Sequence, residues 1–409
     1  MICNIGYQRN LRKRIFLLFL FIIGQFFCSG IKKPTHWNDI EALVPNEYKN
    51  RVCQALTYAG DNEEELVKVL LDIPADHRAS ASFLIANMPR VDLAAIKSSV
   101  LIENIELAYK SRDIYQWAKN VPDDLFLYYV LPYRVSQEPV SDWRRIFFDS
   151  LHERLNPQKG GVDTLSMAEA ELEVNRWCGE RVKFKPTQRR DQGPLETLKS
   201  GYGRCEEMMI VHLSACRAVG IPARQVWTPY WATGDNNHAW SEVWVDGRWY
   251  YQGACEPAPK LCQAWFDKPV KRAALVFASV YGVPKGEESI YRKGNNYAII
   301  NITSNYSQTG ILKVLITKKG HPVKNIPVTV SVFNFGSLRP IARLNTDASG
   351  SAGITIGEGS YFISGGTQTA HTWVVEYVTA GETKEVALNL DKPRELNAEF
   401  WLRYKPPEE

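Results

Sequence analysis

Apolar and polar positions change rhythm twice along the chain. From about His36 to Leu155, apolar residues recur three and four positions apart, as in "DNEEELVKVLLDI" and "DLAAIKSSVLIENIELAYKSR". That spacing predicts amphipathic helices, and the acids that open the first of them suit a helix N-terminus. Helices of this kind bury one face, so the block is expected to be scaffold. From about Asp163 to Gly282 the pattern is mixed. It reads as a helix "LSMAEAELEVNRWCGERV", a turn-rich approach "PTQRRDQGPLETLKSGYGR", and a helix "CEEMMIVHLSACRAVG" ended by Gly220 and Pro222. The strands "RQVWTPY" and "HAWSEVWVDGRWYYQ" follow, the second a predicted hairpin turning on Asp246-Gly247.

The polar stretch "VPKGEESIYRKGN" is expected to mark a domain boundary, because the text after it becomes alternating and β-branched. The segments "ILKVLIT", "IPVTVSVFN", "AGITI", "YFISGG", "TWVVEYV" and "KEVALNL", with turns at "KKGHPVKN" and "TDASG", have the spacing of a β-sandwich. The expected class is α+β. A signal over 1–30 would precede a helical region over 31–160, a mixed core over 161–285 and an all-β sandwich over 296–392.

Composition changes this picture little. The 409 residues allow two or three domains, and 45% hydrophobic with 23% charged content is ordinary for folded protein. The N-terminus reads as an export signal: Arg9, Arg12, Lys13 and Arg14 precede the apolar run "IFLLFLFIIGQFF" and the small residues of "CSG". The run is short for a membrane span, so cleavage near Gly30 is expected. A lipid-modified Cys28 is the lesser alternative, because Phe27 is bulky. The destination would be the periplasm, cell envelope or medium. Removing residues 1–30 takes the formal charge from +4 to zero, which leaves no electrostatic case for nucleic acid.

Six of the eight cysteines lie beyond the signal, at 53, 178, 205, 216, 255 and 262. An exported protein could pair some of them, and Cys255 with Cys262 are nearest in sequence. No CxxC pair occurs, which argues against structural zinc; no cofactor or metal ligand set is expected.

Cys205 is the first candidate for chemistry. It follows "SGYGR" and opens a helix, so glycines allow close backbone approach and the helix N-terminus favours thiolate over thiol. Arg204 would help; Glu206 and Glu207 would oppose if they face the sulfur. Cys216, within the same apolar helix, reads as core. His212 lies two turns on, about 10 Å along the axis, too far to serve as a base. His238, opening a strand after "ATGDNN", is the better base.

These residues carry a family resemblance. "GYGRCEEMMIVHLSACRAVGIPAR" followed by "NHAWSEVWVDGRW" resembles the transglutaminase-like core, a papain-related fold with Cys, His and Asp. The resemblance implies Cys205 as nucleophile, His238 as base and the Cys205 amide as one oxyanion donor. "GRCEE…CRAVG…AR.VW" and "RW…CE" also resemble peptide:N-glycanases, whose paired CxxC zinc ligands are absent here. The layout is similar to exported bacterial transglutaminase-like proteins. The C-terminal segment is similar to carboxypeptidase-regulatory-like or transthyretin-like sandwiches.

The third catalytic residue is where the chain departs from the family. With Asp246-Gly247 as the turn, Val245 pairs with Arg248, Glu242 faces Tyr251, Trp240 faces Gly253 and His238 faces Cys255. The family's Asp falls at Gly253, which has no side chain. Glu242 is about 13 Å along the strand from His238 and cannot orient it. Glu256 is on the wrong face unless a β-bulge at Gly253 turns it inward. Cys205, His238 and, conditionally, Glu256 are thus the candidate catalytic residues.

Two functions follow. One is a thiol enzyme that opens an amide of a protein, peptide or glycopeptide through an acyl-enzyme. Hydrolysis is favoured there over glutamine γ-glutamyl transfer, because no amine or calcium site is marked; a peptide:N-glycanase-like amidase is an alternative. The other is a catalytically silent binder whose Trp227, Trp231 and Trp240 grip a peptide or glycan, although packing is the commoner fate of such residues.

Overall fold

The computed structural model describes residues 33–156, 164–187, 190–287, 289–395 and 399–402. The expected signal and Cys28 lie outside these residues. The chain divides at Ile102/Glu103 into two compact units. In the first unit, Glu63–Asp72 is a helix with Glu63, Glu64 and Glu65 in its first turn and Leu66, Val67, Val69 and Leu70 buried, as its spacing predicts. No helix among the described residues is long and apolar enough to cross a membrane.

The second unit begins with helices and contains all the β structure among the described residues. Helix α1 (Met167–Arg181) starts at a capping box between Ser166 and Glu169. Helix α2 (Cys205–Ala218) is buried along most of its length. It ends before Gly220, whose φ of +75° and missing side chain let the chain turn against Ala118. The buried Arg144 guanidinium ties the end of α2 to its surroundings, donating to the carbonyls of Arg217 at 2.7 Å and Val130 at 2.8 Å.

Against α2 lies a six-stranded sheet of β1 (Ala223–Thr228), β2 (His238–Val245), β3 (Arg248–Gln252), β4 (Phe277–Tyr281), β5 (Ile290–Lys293) and β6 (Tyr297–Asn301), in the order β3-β2-β1-β4-β6-β5. The β2–β3 hairpin turns on Asp246 and Gly247, both at positive φ, and pairs Val245 with Arg248 and Glu242 with Tyr251 as the sequence predicts. Within the polar stretch, Ile290–Lys293 forms the edge strand β5 of this sheet, where charge is tolerated because one side faces water.

Strands β7 (Thr309–Lys318), β8 (His321–Pro322), β9 (Pro327–Asn334), β10 (Ser337–Asn345), β11 (Ser351–Gly357), β12 (Gly359–Gly366), β13 (His371–Val378) and β14 (Thr383–Asn389) form two four-stranded sheets. Strand β7 pairs antiparallel with β8 and β11 and parallel with β14, and the second sheet runs β10-β9-β12-β13. Alternate residues of both sheets, Leu312, Val314 and Ile316 facing Val328, Val330 and Ile363 among them, share one core. Strand β10, which contains Pro340, is not among the segments the alternation predicts. Proline is accommodated because β10 is an edge strand with a register shift opposite Val330/Ser331.

Candidate active site

Cys205 is the first residue of α2. The loop before it is held by Glu207, whose buried carboxylate accepts from Arg204 N–H at 2.8 Å, Gln192 N–H at 3.1 Å and the Thr187 hydroxyl at 2.6 Å. Arg204 turns aside to Asp191 at 2.7 Å and Glu207 at 3.5 Å. The two glutamates after Cys205 therefore divide: Glu207 builds the loop, and Glu206 faces the sulfur. The thiol donates to Glu206 Oε2 at 3.2 Å and accepts from the Ala239 backbone N–H. That second bond places the sulfur beside the residue that follows His238.

The electrostatics reverse the expectation of a thiolate. Burial and then the Glu206 carboxylate push the Cys205 thiol up to about 12. The Ala239 N–H on β2 and then the Glu206 N–H at the helix start act in the opposite sense, and here they are outweighed. His238 opens β2 opposite Thr228 and is packed among aromatic rings, with Trp265 at 4.7 Å, Phe266 at 5.0 Å and Trp240 at 5.8 Å. Burial holds its imidazole down to about 4. At neutral pH the two groups are a thiol and a neutral imidazole.

After β3 the chain forms a turn rather than the β-bulge that would have turned Glu256 inward. The β2–β3 ladder ends at Ser241 with Gln252, so Gly253 and Cys255 never pair with Trp240 and His238. Gly253 to Glu256 instead form a reverse turn, with Glu256 N–H bonded to Gly253 O at 3.1 Å and Cys255 at φ +56°. Buried Asn175 on α1 donates to the same Gly253 carbonyl at 2.9 Å and fixes the turn from below. The turn carries Glu256 back over Gly253. A Cβ at 253 would lie 2.9 Å from Glu256 Cβ and 3.4 Å from its Cδ, with the carboxylate oxygen nearer still. The carboxyl group thus fills the volume left by the missing side chain.

Cys205, His238 and Glu256 all line one cavity of about 770 Å³, together with Glu206, Trp231, Asn236 and Trp265. Burial raises the Glu256 carboxyl, opposed by a hydrogen bond from the Trp265 side chain. Glu256 Oε2 and His238 Nε2 are both buried and have no hydrogen-bond partner among the described residues. Acid and base share the cavity without being bonded to each other.

Other residues singled out from sequence are placed elsewhere. Glu242 pairs with buried Arg224 at 2.6 Å and bonds the Tyr306 hydroxyl, away from His238. His212 is fully buried, its Nδ1 3.0 Å from Ser241 Oγ and its Nε2 3.2 Å from Glu171 Oε1. With Cys216 these form a buried group of metal-ligand type, Glu171–His212–Cys216, whose ligand atoms lie within 4.8 Å of one another. The pairing of Cys255 with Cys262 is not found: the six described cysteines are free thiols. Cys255 donates to Met208 O at 3.2 Å and interacts with Cys178. Trp231 and Trp240 are core residues, and Trp227 packs against the sandwich core. Trp265, 60% accessible, is an exposed tryptophan that lines the cavity, and nothing in its local sequence distinguishes it.

Residues 155–252 match the sequence model of the Transglutaminase-like superfamily, and the chain carries a transglutaminase-like domain there. Solved structures similar to this chain include a candidate cysteine protease from Cytophaga hutchinsonii, 12% identical with a TM-score of 0.28 over 72% of this chain and 65% of that one. Red sea bream transglutaminase is 10% identical, with a TM-score of 0.27 over 63% of this chain and 59% of its own. The minor pilin GBS52 of Streptococcus agalactiae is 12% identical, with a TM-score of 0.18 over 44% and 86%. The chain therefore spans less than two thirds of the first of these and of the transglutaminase. No curated protein matches it.

Proposed function

We propose that the protein is an exported thiol enzyme that hydrolyses an amide of a protein, peptide or glycopeptide through an acyl-enzyme on Cys205. The reading is carried by one observation: the helix-terminal thiol and the strand-initial imidazole, both within the segment that matches the superfamily, line a single cavity with the Glu256 carboxyl group just beyond that segment. The Cys205 proton passes to His238 as sulfur attacks the amide carbonyl, and the resulting imidazolium protonates the departing amine. Water, deprotonated by His238, then releases the acid. Proton transfer creates a buried positive charge, and the orphaned pair His238 Nε2 and Glu256 Oε2 is the one that closes to stabilise it. The α2 N-terminus offers backbone N–H groups to the oxyanion, the Cys205 amide among them.

The test is covalent labelling with an amide-like electrophilic probe. Wild type should be labelled at Cys205, and His238→Ala should lose at least ten-fold in rate. Equal rates, or no labelling of wild type, would sink the reading in favour of a silent binder. Acyl transfer to an amine shares the first half-reaction; product analysis with and without added primary amine separates it from hydrolysis.

A further inference from the structure

The C-terminal sandwich reaches the loop before His238 chiefly through the side chain of Asn334. Asn334 ends β9 at the tip of the β9–β10 hairpin and is fully buried. Its Nδ2 donates to the carbonyls of Gly234 at 2.8 Å, Trp231 at 3.0 Å and Asn236 at 3.2 Å, and its Oδ1 accepts from Asn236 N–H at 3.1 Å. Beside it, Phe335 N–H donates to Asp235 Oδ1 at 2.6 Å. All four loop residues line the cavity, and the loop delivers the chain into His238.

We propose that Asn334 is a positioning residue for His238, which makes the sandwich part of the active-site apparatus. The inference builds on the Cys205–His238 reading and concerns how that base is held. Asn236, two residues before His238, has φ of +91°, beyond the left-handed well near about +60° that asparagine enters readily, so the conformation is one its surroundings help to hold. Here both its backbone groups are pinned. Its N–H is taken by Asn334, and its C=O accepts from Asn334 and from Trp231 N–H at 3.0 Å. The loop lies between β1 and β2 and lacks a ladder of its own, so a side chain with donors and an acceptor on one planar group substitutes for sheet pairing. Released, Asn236 can relax toward negative φ. The start of β2 then swings, and with it the ring that must meet the thiol within a fraction of an ångström.

The decisive variant is Asn334→Asp, which keeps the shape and the acceptor but sets a carboxylate against three carbonyl oxygens. Two readouts apply to the whole protein: hydrogen exchange of the Trp231 and Asn236 amides, and the pH profile of Cys205 alkylation by iodoacetamide. Protection at both amides should fall at least ten-fold, and the profile should move toward that of His238→Ala. Asp235→Ala, at an exposed residue, should shift both readouts the same way to a lesser degree if Asn334→Asp does not fold. Asp347→Ala is the control. It removes the turn bonds to Ser349 and Ser351 at the other end of β10, and should lower sandwich stability while leaving loop exchange and alkylation within two-fold of wild type. Unchanged protection or an unchanged profile in Asn334→Asp overturns the proposal, as does a shift in Asp347→Ala as large as in Asn334→Asp. If wild-type Cys205 resists alkylation at every pH, the thiol-enzyme reading fails, and the exchange measurement alone decides the clamp.

Discussion

The carboxyl group of Glu256 occupies the space where a side chain at Gly253 would stand. Its Cβ and Cδ lie 2.9 and 3.4 Å from the Cβ that an alanine would place there. The two positions are mutually exclusive hosts for one acid, and the glycine is what lets the later residue fold back.

It follows that Gly253→Ala displaces Glu256, since a Cβ contact that short is not tolerated. We expect at least a ten-fold fall in Cys205 labelling with little change in secondary structure. Gly253→Asp combined with Glu256→Ala moves the acid to the position the family uses and should recover part of the loss. A Gly253→Ala protein as reactive as wild type would show that the acid's position is immaterial.

Glu206 governs the resting thiol. It is the charged group that adds to burial in holding Cys205 protonated, so Glu206→Gln should lower the thiol pKa from about 12. Iodoacetamide reactivity at pH 8 should rise several-fold, with the midpoint of the alkylation profile moving to lower pH. A midpoint that moves upward or stays fixed contradicts the assignment.

His238 links stability to acid. Its folded-state value of about 4 lies below its ordinary 6.5, so the unfolded chain binds this proton first. The contribution is intact above pH 6.5 and is lost progressively as pH falls to 4. That loss amounts to about 3 kcal/mol for a shift of this size. Glu256, raised by burial, acts in the opposite sense. Urea midpoints between pH 7 and 4 should therefore fall less steeply for His238→Gln than for wild type.

The Arg224–Glu242 pair predicts a loss of stability separate from chemistry. Both side chains are buried, and Glu242→Gln leaves the Arg224 charge without its counterion, at a cost of about 3–5 kcal/mol. Urea unfolding should register this in full. Cys205 labelling without denaturant should stay within two-fold of wild type.

Much of the architecture was legible in the sequence because it follows from local pattern. The spacing of apolar residues in "EEELVKVLLD", the Asp246-Gly247 turn and the alternation in "ILKVLIT" each specify an element whichever neighbours it meets. Cys205 and His238 were legible for the same reason, since each starts an element whose boundary has a sequence signal. The strand missed at 337–345 shows the limit: Pro340 is acceptable only because β10 lies at an edge, and edge position is a property of the sheet.

The sequence alone determined the order of elements, the placing of thiol and imidazole at the starts of a helix and a strand, and the absence of an acid side chain at 253. Tertiary structure decided the rest. Asn175 on α1 fixes a turn that brings Glu256 over Gly253, burial makes the resting pair neutral where a helix terminus alone favours thiolate, and Asn334 pins the approach to His238 from about 100 residues away. Each of these depends on which groups the fold excludes from water and brings within hydrogen-bond reach. Neither burial nor contact between distant residues is written in the spacing of residues along a chain.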